Sequence, residues 1–449
     1  MSDEAGVLGA HGEGTVSAAG SLVGGLRLPA DKSVAHRALL FNAMAEGEAE
    51  VTVARPGEDV LSMAHVLQTL GAVESIGEGP ADFTRVRLRG RGTRKAAVLP
   101  GAGGETLDCG NAGTAMRLLI GALAGRPQSA TLTGDESLSA RPMERVAVPL
   151  RRIGARIVTE DGHAPIVVEG SRELAAVEHE LPIASAQVIG ALTLAGLAAQ
   201  GTTTITSPGP TRDHTERMLA WLGAPVRREG YVTTVEGPAG FEARTIDVPG
   251  DISGAAAWLV AGALHPEAHI VIEEVGLNPS RTGVIDVLRD MGADIKVASD
   301  GPTEWCPEPV GTIIVSGGAP LRAIDLSGDR VADVIDELPL IAMAMAAAEG
   351  TSTLSGAREL RVKESDRIAR VVEGLRAIGA RAEVRDDGWV VSKGTPRAAA
   401  IRTDGDHRIA MSFAIAALTG VAGTVEIDDP ACAAVSYPTF WTDMEHRAS

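Results

Sequence analysis

Lysine is scarce in this chain, and two lysines stand in clusters that mix cations with carboxylates. The chain has only five lysines among 41 basic residues. Lys32 lies within residues 31–37, Lys363 lies within residues 361–367, and residues 404–408 form a third cluster. A single run of this kind usually marks a solvated helix face. Three such clusters favour an enzyme that binds an anionic substrate and moves protons on it.

Composition limits the classes of protein that fit. A chain of 449 residues with 45% apolar residues predicts two domains with sizeable cores. Aromatic residues make up only 3%, so the cores must be mainly aliphatic, and stacking platforms for single-stranded nucleic acid are disfavoured. The formal net charge of −18 disfavours nonspecific binding to nucleic acid or anionic membranes.

The cysteines and the N-terminal residues indicate where the protein works. Cys109, Cys306 and Cys432 lie far apart without the spacing of metal ligands, as expected of reduced thiols in a cytoplasmic protein. The first twenty residues are rich in Ser, Gly and Ala and contain no lysine or arginine. We expect a loose tail there, with neither signal-peptide nor transit-peptide character. The longest apolar stretches are too short to cross a bilayer.

A six-residue pattern of leucine, two variable residues, an apolar residue, glycine and alanine occurs five times. Each copy ends an amphipathic helix pattern at a glycine, the residue best suited to a left-handed helix cap. We predict a repeated βα unit, with a truncated last unit because the chain ends before a sixth copy. The copies begin 83, 69, 69 and 87 residues apart, at residues 67–72, 150–155, 219–224, 288–293 and 375–380.

A second set of helices is predicted between these copies. Each begins with polar residues and becomes almost wholly apolar, as expected of a buried helix. Their N-termini would attract anions if they shared a cleft, although N-caps alone also explain many polar residues there. For Ser253 we expect only this role at a helix start. The helices are predicted at residues 33–45, 111–124, 185–199, 253–264, 333–348 and 406–418.

The repeats divide into two sets of three. Residues 248–251, Val-Pro-Gly-Asp, separate the sets, and a second crossing is expected near Pro29. We therefore predict one domain at residues 31–248 and another built from residues 1–30 and 249–449. No long flexible linker is apparent, so the two short connections are expected to act as a hinge.

Five motifs appear in a fixed order, at residues 29–37, 110–117, 139–142, 361–367 and 406–408. As an ordered set they closely resemble the 5-enolpyruvylshikimate-3-phosphate synthase family. The resemblance implies a two-domain inside-out α/β barrel, in which each domain has three βαβαββ units around buried parallel helices. It implies transfer of the enolpyruvyl group of phosphoenolpyruvate to the 5-hydroxyl of shikimate 3-phosphate, without metal or organic cofactor. We further expect a cytoplasmic monomer that binds neither nucleic acid nor membranes.

The resemblance also assigns residues to both substrates. Both substrates are multiply anionic, and arginine forks suit phosphate and carboxylate groups. Gly113 would let a ligand approach the backbone, although close helix packing is an alternative role. Shikimate 3-phosphate would be held by Lys32, Ser33, Arg37, Ser185, Ala186, Gln187, Arg212, Asp336 and Lys363. Phosphoenolpyruvate would be held by Lys32, Gly113, Arg141, Gln187, Arg367 and Arg408.

Three residues are assigned to catalysis by the same resemblance. Asp336 would take the hydroxyl proton, Glu364 would protonate the methylene carbon, and Lys32 would lie between the substrates. Glu337 could share the role of base, whereas Asp333 is expected only to solvate a helix start. Because the two halves each supply part of this set, the resemblance implies that the cleft closes on its substrates.

Two positions depart from the usual pattern of the family. Leu118 stands where many members have proline, and Val435 stands where many have lysine. Leu118, Arg212 and the Ser-Ala-Gln sequence at residues 185–187 together resemble the divergent bacterial branch. One alternative is the sister enzyme that acts on UDP-N-acetylglucosamine, but residues 134–142 lack its loop cysteine. Another alternative is a noncatalytic anion-binding protein.

Overall fold

The computed structural model describes residues 14–79, 82–171 and 173–448. The chain divides into two compact units. The first unit comprises Ala30–Pro249 together with Pro302–Pro309. The second unit comprises the described residues up to Pro29, Gly250–Gly301 and Val310 onwards. The inclusion of residues 302–309 in the first unit is a feature that the repeat pattern did not predict.

The first unit contains three four-stranded sheets among the described residues. In each sheet one edge pair is parallel and the remaining pairs are antiparallel. In sheet order, the strands are β14 (Ile246–Asp247), β3 (Glu46–Ala54), β5 (Phe83–Arg91) and β4 (Val73–Glu78); β6 (Glu105–Asp108), β7 (Ala130–Thr133), β9 (His163–Val168) and β8 (Ile157–Glu160); β10 (Glu178–Glu180), β11 (Gly201–Thr206), β13 (Val232–Gly237) and β12 (Val226–Glu229).

The second unit repeats this arrangement, with a shorter last sheet. Each of its sheets again contains one parallel pair. In sheet order, its strands are β16 (Asp294–Thr303) and β17 (Cys306–Ser316), whose ends within residues 302–309 belong to the first unit, then β15 (Ala268–Gly276) and β2 (Leu22–Arg27); β18 (Asp325–Leu326), β19 (Thr351–Leu354), β21 (Gly388–Ser392) and β20 (Arg381–Arg385); β1 (Thr15–Val16), β23 (Val425–Ile427) and β22 (Ala399–Ile401). The result is a mixed α/β fold in which parallel pairs require crossover helices.

Helices of two kinds connect these strands. The crossover helices are buried nearly all round, and the second kind are amphipathic helices near the surface. The buried helices are α1 (Lys32–Met44), α3 (Gly113–Ala124), α6 (Ala186–Gly196), α8 (Ile252–Leu264), α11 (Leu338–Ala347) and α13 (His407–Leu418). The others are α2 (Glu58–Thr69), α4 (Glu136–Ser139), α5 (Glu144–Arg152), α7 (His214–Trp221), α9 (Gly283–Asp290), α10 (Asp329–Asp333), α12 (Arg367–Ala377) and α14 (Phe440–Arg447), with 3₁₀ turns at Arg358–Val362 and Pro430–Val435. No helix in the described ranges is both long enough and apolar enough to cross a membrane.

The repeated glycines cap the amphipathic helices as predicted. Gly71, Gly154, Gly223, Gly292 and Gly379 all have φ between +80° and +106°. A side chain at such an angle would be strained, so glycine ends each helix and turns the chain into the following strand. The six-residue pattern therefore arises because each of these five helices ends at a residue with positive φ, which favours glycine.

Two predictions about element boundaries were wrong. The fifth buried helix begins at Leu338 and not at residue 333, because Pro339 fits only in the first turn of a helix. Asp333 instead ends the short helix α10. The expected loose tail is also wrong for Thr15–Val16, which pairs with β23 and completes the last sheet. Residues 1–13 of that tail lie outside the described residues.

Each unit has its own aliphatic core. One cluster of buried residues runs from Ala30 to Val248 and the other from Val16 to Met444. Alanine, leucine, valine and isoleucine dominate both clusters, as the low aromatic content predicts. Helices rich in alanine and glycine can approach closely, and a Cβ on Gly121 would collide with the Ala191 carbonyl oxygen of the neighbouring helix.

Candidate active site

Lys32 opens the first buried helix of the first unit. The Asp31 carboxylate caps that helix by accepting from the Val34 amide at 3.0 Å. The Lys32 ammonium lies 3.1 Å from the Asp59 carboxylate, which comes from the first turn of α2. His36 is buried one turn below, with its ring nitrogens 2.7 Å from the Lys32 carbonyl oxygen and 3.1 Å from that of Asp59. These contacts hold both the backbone and the ammonium group of Lys32 in place.

Asp59 is ionised by its surroundings. Burial raises the pKa of its carboxyl, but the charge and hydrogen bond of Lys32, together with smaller contributions from His36 and Arg141, outweigh burial and hold the pKa below the usual value. Sequence reasoning missed this residue. An acidic residue in the first turn of a helix is usually a favourable interaction with the helix dipole and nothing more.

Arg37 lies one turn further along α1 and is buried. Its Nε donates to the Thr215 hydroxyl at 2.8 Å, and its Nη1 donates to the Ser33 carbonyl at 2.9 Å. Burial lowers the pKa of Arg37 to about 10, while the carboxylate of Glu216 opposes that change. The charge of Arg212 also acts on Arg37. The first unit thus brings Lys32, Ser33, Arg37 and Arg212 to one region.

A second group of cations surrounds the start of α3. A Cβ added to Gly113 would lie 3.1 Å from Arg141 Nη1 and 3.2 Å from Arg117 Nη1. Arg141 is oriented by the side-chain oxygen of Asn111 at 2.5 Å. Burial, together with the neighbouring cations Arg145 and Arg141, lowers the pKa of Arg117 to about 9. Gly113 therefore leaves room for a dense, positively charged surface.

Gln187 joins this group from the N-terminus of α6. Its Oε1 accepts from Arg117 at 2.7 Å, and its Nε2 donates to the Thr114 hydroxyl at 3.1 Å. Ser185 caps the helix, and Ala186 is its first residue. Arg117 and Arg145 were not among the predicted site residues. The signal was present, since Arg117 ends the motif at residues 110–117 and Arg145 lies four residues after Arg141, in the first turn of α5.

In the second unit, Arg367 is the centre of an ion-pair network. This guanidinium is 1% exposed, and its Nε donates to Asp406 at 2.8 Å. Its Nη2 donates to Glu364 at 2.7 Å, and its Nη1 lies 3.7 Å from Asp336. Burial alone would lower the pKa of Arg367, but Asp406 and Glu364 raise it above the usual value. One arginine thereby holds three carboxylates in fixed positions.

Glu364 and Lys363 occupy the edge of this network. Burial raises the pKa of the Glu364 carboxyl, but Arg367, His407 and a backbone hydrogen bond together lower it more, so the pKa is well below its ordinary value. The Lys363 ammonium lies 3.7 Å from Asp336 and 2.8 Å from Glu359. The second unit therefore brings Asp336, Lys363, Glu364 and Arg367 together.

Asp406 and Arg408 flank the start of α13. Asp406 caps this helix by accepting from the Arg408 amide at 2.9 Å, in addition to binding Arg367. Burial lowers the pKa of His407 to about 3, so this imidazole is neutral at pH 7. The Arg408 guanidinium lies 3.5 Å from Glu337, a buried carboxylate. Arg408 is thus linked to the residue adjacent to Asp336.

Comparison with known proteins identifies the family. The model of the family described as EPSP synthase (3-phosphoshikimate 1-carboxyvinyltransferase) matches residues 16–444. The chain belongs to the EPSP synthase family.

The chain is 45% identical over 438 residues to the 3-phosphoshikimate 1-carboxyvinyltransferase of Gloeobacter violaceus, covering 97% of this chain and 98% of the relative. A relative of the same name from Acidithiobacillus ferrooxidans is 46% identical over 424 residues, covering 93% of this chain and 94% of the relative. A solved EPSP synthase structure from Acinetobacter baumannii has a TM-score of 0.85 at 39% identity, with coverage of 97% and 98%. The family predicted from the ordered motifs is therefore confirmed.

The structure gives one departure from the EPSP synthase pattern a physical setting. Leu118 is fully buried in α3, and its side chain would lie 2.9 Å from a Cβ on Gly190 of α6. Leucine in this position fills the space that glycine leaves between two buried helices. Val435 ends the 3₁₀ turn Pro430–Val435 and is partly exposed.

One expectation about this EPSP synthase family member is corrected. Ser253 was expected to act only at a helix start, but the cap of α8 is Asp251. The Ser253 hydroxyl donates to the buried carboxylate of Glu337, 84 residues away in sequence. This contact between separate segments leaves no local signal in the sequence, so motif reasoning could not find it.

Proposed function

We propose that this chain transfers the enolpyruvyl group of phosphoenolpyruvate to the 5-hydroxyl of shikimate 3-phosphate and releases phosphate. Family membership over nearly the whole chain supports this reaction. The observation that carries the proposal is the Arg367 network, which holds three carboxylates beside a lysine. Addition and elimination of an enol phosphate needs carboxyl groups that exchange protons beside cations that hold phosphate.

The first unit is proposed to hold most of the substrates' charge. Shikimate 3-phosphate would contact the start of α1 through Lys32, Ser33 and Arg37. Its phosphate would lie at the N-terminus of α6, where backbone N–H groups and the helix dipole favour anions. The residues proposed there are Ser185, Ala186, Gln187 and Arg212. Phosphoenolpyruvate would be held by Lys32, Gly113, Arg141 and Gln187 of this unit.

The second unit is proposed to move the protons. Asp336 takes the proton of the hydroxyl as its oxygen bonds to the central carbon of phosphoenolpyruvate, and Glu364 gives a proton to the methylene carbon. In the elimination step Glu364 takes a proton back from the methyl group, the bond from the central carbon to the phosphate oxygen breaks, and phosphate leaves with the proton that Asp336 took. Arg367 and Arg408 hold the phosphoenolpyruvate anion, and Lys363 holds the shikimate moiety.

The proton donor must be protonated when it acts, whereas the pKa of Glu364 is held low by Arg367. A substrate anion bound to Arg367 shares the charge that now stabilises the Glu364 carboxylate. The negative charge of the substrate and the exclusion of water both raise the pKa of a nearby carboxyl. Substrate binding is thus proposed to convert Glu364 from an ion-pair partner into a proton donor.

The wider architecture is proposed from the family. We infer a two-domain inside-out α/β barrel with three βαβαββ units in each domain. The first enolpyruvyl transferase domain would span residues 31–248, and the second would span residues 1–30 and 249–449. The strand order of the six sheets supports repeated units of this kind. We also propose that the protein acts as a cytoplasmic monomer without a metal or organic cofactor.

Phosphate release separates this proposal from its alternatives. We expect release only when phosphoenolpyruvate and shikimate 3-phosphate are both present, with a product that mass spectrometry identifies as the enolpyruvyl ether. Release with UDP-N-acetylglucosamine in place of shikimate 3-phosphate would instead assign the activity of the sister enzyme. Binding of either anion without release in any mixture would identify a noncatalytic anion-binding protein.

A further inference from the structure

Two neighbouring carboxylates, Asp336 and Glu337, contact different groups. The Asp336 carboxylate lies 3.7 Å from both Lys363 and Arg367. The Glu337 carboxylate is 1% exposed and accepts from the Ser253 hydroxyl, and its Oε1 lies 3.5 Å from Arg408 Nη1. These adjacent side chains therefore act on separate cations.

The Ser253 hydroxyl is itself held in one orientation. Arg281 Nη2 donates to the Ser253 oxygen at 2.6 Å and lies 3.4 Å from Asp251. A hydroxyl has one proton to donate. Because its oxygen already accepts from Arg281, that proton is free to bind Glu337. The relay from Arg281 through Ser253 fixes one oxygen of the Glu337 carboxylate.

Arg408 is the cation that the fixed carboxylate faces. Glu337 Oε2 and Arg408 Nη1 are both buried, and neither has a hydrogen-bond partner among the described residues. A buried carboxylate is costly unless a cation balances it. The separation of 3.5 Å exceeds a hydrogen bond, but a shift of a few tenths of an ångström would form one. The carboxylate therefore defines where one edge of the guanidinium must lie.

We propose that Glu337 is a positioning residue for Arg408. Held by Ser253, its carboxylate fixes one edge of the guanidinium so that the remaining N–H groups point toward an oxyanion. This inference rests on the proposed function, in which Arg408 holds phosphoenolpyruvate. In this proposal Glu337 does not share the role of base with Asp336. A carboxylate with 1% exposure, bound to Ser253 and facing Arg408, acts through Arg408 and not on the substrate hydroxyl.

The substitution Glu337→Gln tests this role because it keeps the side-chain volume and an oxygen acceptor for Ser253 but removes the charge. Phosphate release is measured with each substrate varied in turn. We expect the KM for phosphoenolpyruvate to rise about tenfold while kcat falls by less than about threefold. The KM for shikimate 3-phosphate should stay within about twofold of wild type.

A matched control distinguishes positioning from general damage. Asp443 is another buried carboxylate of the second unit and accepts from a hydroxyl, that of Thr439, at 2.8 Å. Asp443→Asn should leave both KM values unchanged. Ser253→Ala removes the hydroxyl that holds Glu337 and should raise the KM for phosphoenolpyruvate by about threefold, selectively.

Each outcome decides between the roles. A fall in kcat of about a hundredfold in Glu337→Gln with unchanged KM values would indicate a base and overturn the inference. An unchanged KM for phosphoenolpyruvate in a folded Glu337→Gln protein would also overturn it. If that variant does not fold, Ser253→Ala decides, and its KM for phosphoenolpyruvate must rise alone. A wild-type protein that releases no phosphate would overturn both the proposed function and the inference. If the wild type is active and Glu337→Gln has normal kinetics, only the inference is overturned.

Discussion

The two units treat their cations differently. In the first unit, several arginines are oriented by neutral groups, as Arg37 is by Thr215 and Arg117 is by Gln187. In the second unit, Arg367 binds carboxylates on every side. A cation whose partners are neutral remains available to pair with an anionic ligand. A carboxylate paired with a cation has a pKa that changes when a ligand binds that cation. We therefore propose that the first unit mainly binds anions and that the second unit mainly moves protons.

The largest expected effect is a loss of turnover when a carboxylate of the second unit is replaced. Glu364→Gln removes the proposed proton donor but keeps a side chain of the same size near Arg367. We expect kcat to fall by about 10²- to 10⁴-fold, as is usual when a general acid is removed. Initial rates of phosphate release at saturating substrates measure this effect.

The control for that variant is Glu373→Gln on the same segment of chain. Glu373 is exposed and pairs with Arg370 at 2.8 Å, so its loss should leave kcat unchanged. Surface ion pairs of this kind contribute little. Near-normal turnover in Glu364→Gln would remove Glu364 from the mechanism and with it the assignment of proton transfer to this unit.

The next effect is a loss of affinity in the first unit. Gly113→Ala places a methyl group 3.1 Å from Arg141 and 3.2 Å from Arg117, so both guanidiniums must move by a few tenths of an ångström. We expect the KM for phosphoenolpyruvate to rise about tenfold, with a smaller change in kcat. Gly77→Ala is the control, because no atom of a described residue beyond its chain neighbours lies within 4 Å of its added Cβ. A fall in kcat alone would contradict a binding role for this surface.

A smaller effect is expected from the carboxylate beside Lys32. Asp59→Asn keeps the shape of the side chain but removes the charge that holds the Lys32 ammonium at 3.1 Å. We expect kcat/KM to fall about fivefold, because a less constrained lysine spends less time in its productive position. Asp82→Asn serves as the control, since Asp82 is exposed and pairs only loosely with Arg55 at 3.7 Å. Equal kcat/KM values for the two variants would show that Asp59 does not position Lys32.

The sequence predicts local requirements well and long-range pairing poorly. The five glycine caps could be predicted because a left-handed backbone conformation favours glycine, and a glycine at the end of a helix pattern is visible in the sequence. Lys32 and Glu364 could be predicted as candidate site residues because their motifs are contiguous, and their assigned roles remain predictions. Asp59 and the contact of Ser253 with Glu337 could not, because each pairs side chains from separate segments. The start of α11 was misplaced because apolar periodicity carried more weight than Pro339.

The smallest expected effect concerns stability and extends the comparison to a buried base of the first unit. Burial lowers the pKa of His36 to about 4, compared with 6.5 in an unfolded chain. Between pH 6.5 and about 4 the unfolded state binds a proton that the folded state does not. The contribution of His36 to the free energy of unfolding should therefore be complete above pH 6.5 and fall by at most about 1.4 kcal/mol per pH unit below it.

Urea unfolding of wild type and His36→Gln at pH 7, 6 and 5 measures this contribution as a difference in slope. The variant should lose less stability per pH unit than wild type, because it has no imidazole to protonate on unfolding. Other groups that titrate in this range, including His407, are present in both proteins and cancel in the difference. Parallel curves for wild type and His36→Gln would mean that the contacts of His36 with the Lys32 and Asp59 carbonyls keep its proton affinity near that of the unfolded chain.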